Sequence, residues 1–190
     1  VSSSTGVFSY QVSDNTIASV TATGSVTIIG AGMTSIVIDQ AGDLNFLTVS
    51  KTITLYVLKA DPIISASNII SKTFGDPDFN LTATSSSTGL FSYTISDTSI
   101  ASVSSNTVTI AGAGTTTILI NQSSDNNYNT GVSSITLIVN KADPIIYFPD
   151  VIKTFGDPDF TVIATSSSTG DFSYSIDNPM IAAEVQSNSL

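Results

Sequence analysis

Apolar and polar residues alternate with a period of two along much of this chain. In Phe91-Ser92-Tyr93-Thr94-Ile95 the large apolar side chains fall on one face and Ser and Thr fall on the other. Segments 8–12 and 172–176 have the same pattern. Such alternation is typical of strands with one face on a core and the other in water. Because residues 59–140 contain no convincing helical period, the pattern predicts an all-β fold.

Turn signals divide residues 59–140 into seven predicted strands. Clusters such as Gly75-Asp76-Pro77 and Gly112-Ala113-Gly114 separate the alternating segments. Short strands with a turn about every ten residues predict an immunoglobulin-like β-sandwich. The strands are predicted at 63–70, 79–84, 90–96, 100–103, 107–111, 115–122 and 132–140. The predicted core consists of Ile63, Leu81, Phe91, Tyr93, Ile95, Val108, Ile110, Ile118, Ile120, Ile135, Leu137 and Val139.

The sequence repeats itself with a period of about 82 residues. KADPII occupies Lys59–Ile64 and returns at Lys141–Ile146, and KTFGDPDF occupies 72–79 and 153–160. Self-similarity at a fixed spacing indicates tandem copies of one structural unit. We therefore predict three immunoglobulin-like domains: an N-terminally incomplete copy at 1–58, a complete copy at 59–140, and a C-terminally incomplete copy at 141–190. A chain that starts and stops inside a repeat is expected to be a window on a longer polypeptide.

The junctions between copies are short. Lys59-Ala60-Asp61-Pro62 joins the first two copies, and the same four residues recur from Lys141 to Pro144. Proline fixes its own φ and keeps the preceding residue extended, so one unit runs almost directly into the next. We expect a stiff rod in which neighbouring repeats are each other's partners.

Several strings together carry a family resemblance. KADPII, KTFGDPDF, TSSSTGxFSY, IASV, VTIAGAG and DNNYN resemble the bacterial-type immunoglobulin-like repeats called mostly-β or MBG-like domains. The third copy departs from this pattern at 181–185, where IAAEV replaces IASV. Repeats of this kind form the stalks of surface adhesins, and similar repeats occur in virion-surface proteins of large DNA viruses. The resemblance implies a non-enzymatic surface scaffold.

Charge and hydropathy exclude several partners. The 190 residues contain five Lys or Arg and fifteen Asp or Glu, for a formal net charge of −10. Nucleic acids and anionic membranes are bound mainly through Lys and Arg, so neither is expected as a partner. No apolar run approaches eighteen residues, so no membrane span is predicted in this window.

The chain also has few of the residue types that carry out catalysis. The chain has no His and no Cys, so it offers neither an imidazole base nor a thiolate nucleophile. The Asp pairs recur in every copy that includes this part of the repeat, which is typical of a structural turn. We predict that the protein is not an enzyme and that it needs no cofactor, with Ca²⁺ as the one possible exception.

Asp76-Pro77-Asp78 is the sharpest acidic motif, and Asp157 and Asp159 are its equivalents in the third copy. One interpretation is a tight turn in which Gly75 supplies a positive φ and Asp76 caps the backbone. The alternative is a calcium site formed by Asp76, Asp78 and Asp143, since Ca²⁺ prefers carboxylate oxygens. Asp61 is the equivalent of Asp143 at the first junction.

A second candidate site is the polar loop after the sixth predicted strand. Asp125 and Asn127 flank Tyr128, as Asp43 and Asn45 flank Phe46 in the first copy. Asp125, Asn127 and Tyr128 form a possible ligand platform. The alternative is that the aromatic ring anchors a long loop on the sandwich edge, because Phe replaces Tyr and the hydroxyl is dispensable.

These features predict a rod of repeats exposed outside a virus particle or a microbial cell. It would decorate that surface, hold a distal part of the protein away from it, or mediate attachment. It would do so as a capsid-associated protein or as an adhesin stalk. Its partners would be neighbouring repeats, capsid or other surface proteins, or host-surface glycans. The alternatives are a carbohydrate-binding module and a calcium-stiffened adhesion module.

Overall fold

The computed structural model describes residues 3–178 and 180–182. These residues form sixteen β-strands and no helix, so the all-β prediction is confirmed. Accordingly, this part of the chain holds no helix with the length and apolar character needed to cross a membrane. The described residues fall into two compact units, which divide between Lys141 and Ala142. Most of the altered segment 181–185 lies outside the described residues.

The first repeat contributes five strands to two sheets. β1 pairs with β4, β4 pairs with β5, and β2 pairs with β3, all antiparallel. Polar turns such as Asp14–Thr16 separate them, because the Asp14 carboxylate accepts hydrogen bonds from both the backbone N–H and the hydroxyl of Thr16. The strands are β1 (Phe8–Val12), β2 (Ala18–Val20), β3 (Val26–Ile28), β4 (Gly32–Gln40) and β5 (Val49–Val57).

The second repeat is a complete sandwich of nine strands. A four-stranded sheet has the order β10-β13-β14-β7, and it faces the smaller sheets β11-β12-β8 and β6-β9. The strands are β6 (Ile64–Ala66), β7 (Ile69–Thr73), β8 (Phe79–Asn80), β9 (Ala83–Ser85), β10 (Phe91–Ile95), β11 (Ala101–Ser104), β12 (Thr107–Ile110), β13 (Gly114–Gln122) and β14 (Gly131–Asn140). In the other compact unit, β15 (Ile146–Tyr147) pairs with β16 (Thr165–Ser166).

Two predicted strands of the second repeat are each divided in the structure. The predicted strand 63–70 is split into β6 and β7, which belong to different sheets, and β7 extends to Thr73. The predicted strand 79–84 is likewise split into β8 and β9 around the buried Leu81. The chain bends at both places, so each of these two segments contributes strands to two different sheets. The remaining five predicted strands agree with the structure to within one residue at either end.

The alternating residues form the core, with one exception. Val108, Ile118, Ile120 and Leu137 are fully buried, and Phe91, Tyr93, Ile95 and Ile110 are half-buried against them. Ile63 was predicted inside but is 76% exposed. Its neighbour Ile64 packs on the core instead, because the pairing of Ile64 with Ser85 sets the inward face of β6.

Candidate functional site

The loop that joins β13 to β14 contains the three predicted ligand residues. The Asp125 carboxylate folds this loop, since its Oδ1 accepts the backbone N–H groups of Asn127 and Tyr128, both at 2.8 Å. The backbone N–H of Asp125 donates in turn to the Tyr128 carbonyl at 3.1 Å. These three hydrogen bonds hold the loop closed on itself.

The second oxygen of Asp125 ties this loop to the loop that follows β9. Asp125 Oδ2 accepts the backbone N–H of Thr88 at 2.7 Å and the hydroxyls of Ser87 and Thr88, both at 2.9 Å. These hydrogen bonds, led by the one from the Thr88 backbone, hold the pKa of Asp125 well below its usual range. The carboxylate is thus a charged acceptor that organises two loops.

The repeated string TSSSTG is explained by the same loop pair. The buried Gln122 donates through Nε2 to the carbonyls of Ser87 and Gly89, and its Oε1 accepts the Ser85 hydroxyl. A Cβ atom at Gly89 would overlap the Ser123 carbonyl, so the position has no room for any side chain. The glycine and hydroxyl residues of this string are therefore structural.

The first repeat contains the same arrangement. Asp43 Oδ2 accepts the hydroxyl of Ser4 and the backbone N–H of Thr5, both at 2.7 Å. Asp43 Oδ1 accepts the N–H groups of Asn45 and Phe46, the counterparts of Asn127 and Tyr128. Hydrogen bonds from Ser4 and from these N–H groups lower the pKa of Asp43 as well. The loop conformation is thus a property of the repeat.

In the second repeat this loop binds the linker that precedes the sandwich. Ala60 donates its N–H to the Asn127 carbonyl at 2.9 Å and accepts the Asn129 N–H at 2.8 Å, so the linker runs parallel to the loop beside Tyr128. The Lys59 ammonium donates to the Asp125 carbonyl at 2.6 Å. Asn129 Nδ2 donates to Asp61 Oδ1 at 2.8 Å. The linker is therefore attached to the loop on both sides of Ala60.

The side chain of Asn127 reaches from the second repeat to the first. Its Oδ1 accepts the backbone N–H of Ala31 at 2.8 Å, in the Gly30-Ala31-Gly32 turn. Gly30 allows this approach, because a Cβ there would lie 2.7 Å from the Thr16 carbonyl and 3.2 Å from Asn127 Oδ1. We call the contact among residues 30–32, 59–61 and 125–129 the inter-repeat junction.

The structure therefore brings Asp125, Asn127 and Tyr128 together, but against the protein itself. Tyr128 is half-buried, and its backbone lies beside Ala60 of the linker. Ligand binding by this loop stays a prediction. The sequence reasoning missed Ala31, Lys59 and Asn129. The recurrence of KAD and GAG in successive copies was the signal that could have identified the first two.

The acidic turn has the geometry of the tight-turn interpretation. Asp76 Oδ2 accepts the Thr73 N–H at 2.9 Å, Asp76 donates its own N–H to the Thr73 carbonyl, and Gly75 has φ 93°. Asp157 makes the same two bonds with Thr154. Among the described residues, no group of three or more His, Cys, Asp or Glu side chains is placed to hold a metal ion. The calcium site of Asp76, Asp78 and Asp143 stays a prediction.

Comparisons with known proteins give matches in structure alone. No protein-family model matches the chain, and no characterised protein matches it in sequence. Domains 1–6 of the surface layer protein SbsC match with 22% identity and a TM-score of 0.36, covering 75% of this chain and 21% of that one. Human protocadherin-24 EC1-2 matches with 14% identity and a TM-score of 0.36, covering 73% and 83%. Drosophila N-cadherin EC1-4 matches with 13% identity and a TM-score of 0.34, covering 76% and 44%. The chain thus spans about a fifth of the SbsC structure.

Proposed function

We propose that the protein is a non-enzymatic structural protein whose immunoglobulin-like repeats form a stiff scaffold outside a virus particle or a microbial cell. In this role it decorates the surface, spaces a distal part from it or mediates attachment. Its partners are the neighbouring repeats of the same chain, together with capsid or other surface proteins or host-surface glycans.

The inter-repeat junction is the observation that carries this proposal. Hydrogen bonds attach the linker residues 59–61 to the loop of the second repeat, and Asn127 adds a bond to the turn of the first. A linker bonded on both sides of Ala60 has few rotations left. Each such bond contributes about 0.5–1.5 kcal/mol net, and together they favour one orientation of the two repeats.

The junction also uses strings that recur along the chain. The linker sequence KAD stands at 59–61 and at 141–143, and the turn sequence GAG stands at 30–32 and at 112–114. A contact built from repeated residues can be made again at each successive linker. This supports a function that depends on adding repeats rather than on one unique site.

The stiffness of this junction is tested by measuring one distance. The chain has no Cys, so Thr52→Cys on β5 and Thr109→Cys on β12 accept spin labels without background. Pulsed electron resonance, with labelled chains diluted in unlabelled protein, records only the distance within one chain. We expect a narrow distribution in the parent and a clearly broader one in Asn127→Ala, because the bond to Ala31 is lost.

Asn126→Ala is the matched control. Asn126 is exposed, and in the described part of the chain its side chain has no hydrogen-bond partner. This variant should keep the narrow distribution of the parent. A broad distribution in the parent itself would contradict the stiff scaffold.

A further inference from the structure

The chain enters and leaves the second repeat at opposite ends of β14. On the entry side, the Ala60 carbonyl accepts the backbone N–H of Asn129 at 2.8 Å, just before β14 begins at Gly131. On the exit side, Lys141 directly follows Asn140, the last residue of β14. The ten residues of this strand separate the two sides by about 34 Å. Tension transmitted from one repeat to the next therefore acts along β14.

β7, near the start of the repeat, lies parallel to β14 at its end. Their register contains five residue pairs, from Ile69 beside Thr136 to Thr73 beside Asn140. When the two ends of the repeat are pulled apart, β7 is drawn toward its amino end and β14 toward its carboxyl end. The strands must then slide past each other. Because the hydrogen bonds of a parallel pair are evenly spaced, they resist this sliding together.

Further hydrogen bonds extend the pair at both ends of its register. The Asn68 carbonyl accepts a backbone N–H of β14 at 2.9 Å, and the Phe74 N–H donates to the Asn140 carbonyl at 2.8 Å. The Asn140 side chain adds two more bonds, because its Nδ2 donates to the Lys72 carbonyl and the Ser71 hydroxyl, each at 3.2 Å. Asn140 thus reinforces the end at which β14 is pulled.

Packing opposes the same sliding movement. Ile70 of β7 is half-buried against the core and lies beside Leu137, which is fully buried on β14. Sliding would withdraw Ile70 from this place and expose apolar surface to water. β6, which tension reaches before β7, is paired with β9 over only three residue pairs. Once β6 separates, β7 and β14 hold the repeat together.

We propose that β7 and β14 form a mechanical clamp by which the second repeat bears tension along the chain. The parallel pairing of the strand near its start with the strand at its end places the resisting hydrogen bonds across the direction of pull. This function goes beyond the proposed scaffold, because the clamp lies within one repeat and the inter-repeat junction lies between two. A weak clamp would leave the distance distribution across the junction unchanged.

Single-molecule pulling in two directions tests the clamp. The chain has no Cys, so Leu58→Cys with Ala142→Cys attaches handles at exposed positions just outside the repeat and makes β7 and β14 slide. Asp78→Cys with Ala142→Cys attaches both handles beyond the carboxyl ends of these strands, so the pair opens from that end. In the sliding direction, loss of the clamp frees residues 69–140, about 250 Å of extended chain.

The two directions should differ in force at the same loading rate. We expect the unfolding force to be at least about twofold higher in the sliding direction, because the hydrogen bonds of the pair are then loaded together instead of one after another. A force in the sliding direction no higher than the force in the opening direction would overturn the proposal.

Position 74 offers a matched pair of variants. Phe74 is the second residue of a turn in which Asp76 donates its N–H to the Thr73 carbonyl and Gly75 has φ 93°. Proline is favoured at this position of such a turn. Phe74→Pro therefore keeps the turn but removes the N–H that donates to Asn140, whereas Phe74→Ala removes the same ring and keeps that N–H.

The Phe74→Pro chain should unfold at a sliding force lower by roughly a fifth than that of Phe74→Ala, because one of the few bonds that resist together is missing. The melting temperatures of these two variants should be similar. Loss of the hydrogen bond lowers stability, while the stiffer unfolded chain raises it. A lower force at an unchanged melting temperature identifies a bond that carries tension.

A second comparison does not depend on proline. Asn140→Ala removes the two side-chain bonds to β7 and should also lower the sliding force. Asn80→Ala is its control, since Asn80 is exposed and its Oδ1 accepts the Thr107 hydroxyl in the β8–β12 pair, away from the clamp. This control should unfold at the parent force. Equal sliding forces in Asn140→Ala and Asn80→Ala, and in Phe74→Pro and Phe74→Ala, would overturn the proposal. If Phe74→Pro fails to fold, the asparagine comparison alone decides.

Discussion

At the residue scale, Ile120 shows how strongly alternation specifies the interior. This side chain is fully buried on β13 among the core residues, whereas Thr117 of the same strand is half-buried on the opposite face. Ile120→Ala should lower the free energy of unfolding by about 2–5 kcal/mol, from lost burial and a residual cavity. Thr117→Ala should change it by no more than about 0.5 kcal/mol. Equal effects in chemical denaturation would show that the two faces are wrongly assigned.

The Asp125 carboxylate makes stability depend on pH. Its pKa is lowered in the folded chain, chiefly by the Thr88 backbone N–H, relative to about 3.9 in an unfolded chain. The stability that it contributes is therefore present above about pH 4 and is lost as the pH falls below that value. Asp125→Asn should melt at a lower temperature than the parent at pH 6, and this difference should shrink toward pH 2.

Melting curves of the parent, Asp125→Asn and Asp78→Asn over pH 2–7 check this prediction. Asp78 is exposed and accepts no hydrogen bond among the described residues, so its replacement should leave the pH profile close to that of the parent. If Asp125→Asn followed the parent profile at every pH, the hydrogen bonds of this carboxylate would not stabilise the two loops.

The residue-scale errors have physical reasons. KADPII places Ile63 and Ile64 side by side directly after Pro62, where no earlier alternation sets the inward face. The pairing with Ser85, distant in sequence, fixes Ile64 as the inward residue. Asn127 was identified as a candidate from its loop, but its partner Ala31 contributes a backbone N–H, which no sequence pattern records.

At the element scale, the sequence predicts strands better than it predicts their sheets. Ile64, Ala66 and Ile70 all lie at even positions, so the alternation continues across the break between β6 and β7. The break becomes visible only through the partners, since β6 pairs with β9 while β7 pairs with β14 in parallel. A period-two pattern gives the inward face of a strand, but it carries no information about the neighbouring strand.

The acidic turn between β7 and β8 gives the calcium hypothesis a clear test. If Asp76, Asp78 and Asp143 share an ion, the chain should melt at a higher temperature in Ca²⁺ than in chelator. Saturation at a hundred times the dissociation constant would add about 2.7 kcal/mol to the free energy of unfolding. Asp143→Asn should remove the increase. Identical melting in Ca²⁺ and chelator would leave these carboxylates as turn and linker residues.

At the scale of the whole molecule, equivalent strands of the first and second repeats differ in how many of their edges are paired. β14 is paired on both edges, by β13 and β7, whereas its counterpart β5 is paired only by β4 among the described residues. Backbone amides on a free edge exchange with solvent through small local openings, and those inside a sheet need larger ones. The two strands have similar sequence patterns. A difference in their hydrogen exchange would therefore reflect edge pairing rather than amino-acid composition.

Hydrogen exchange, measured at low protein concentration, should therefore be faster in β5 than in β14. We expect peptides from 49–57 to exchange at least about tenfold faster than peptides from 131–140, because a difference of 1.4 kcal/mol in local opening already gives that factor. Ile36 on β4 is paired on both sides and serves as an internal reference within the first repeat. Equal protection of the two segments at high dilution would mean that the β5 edge is covered within a single chain.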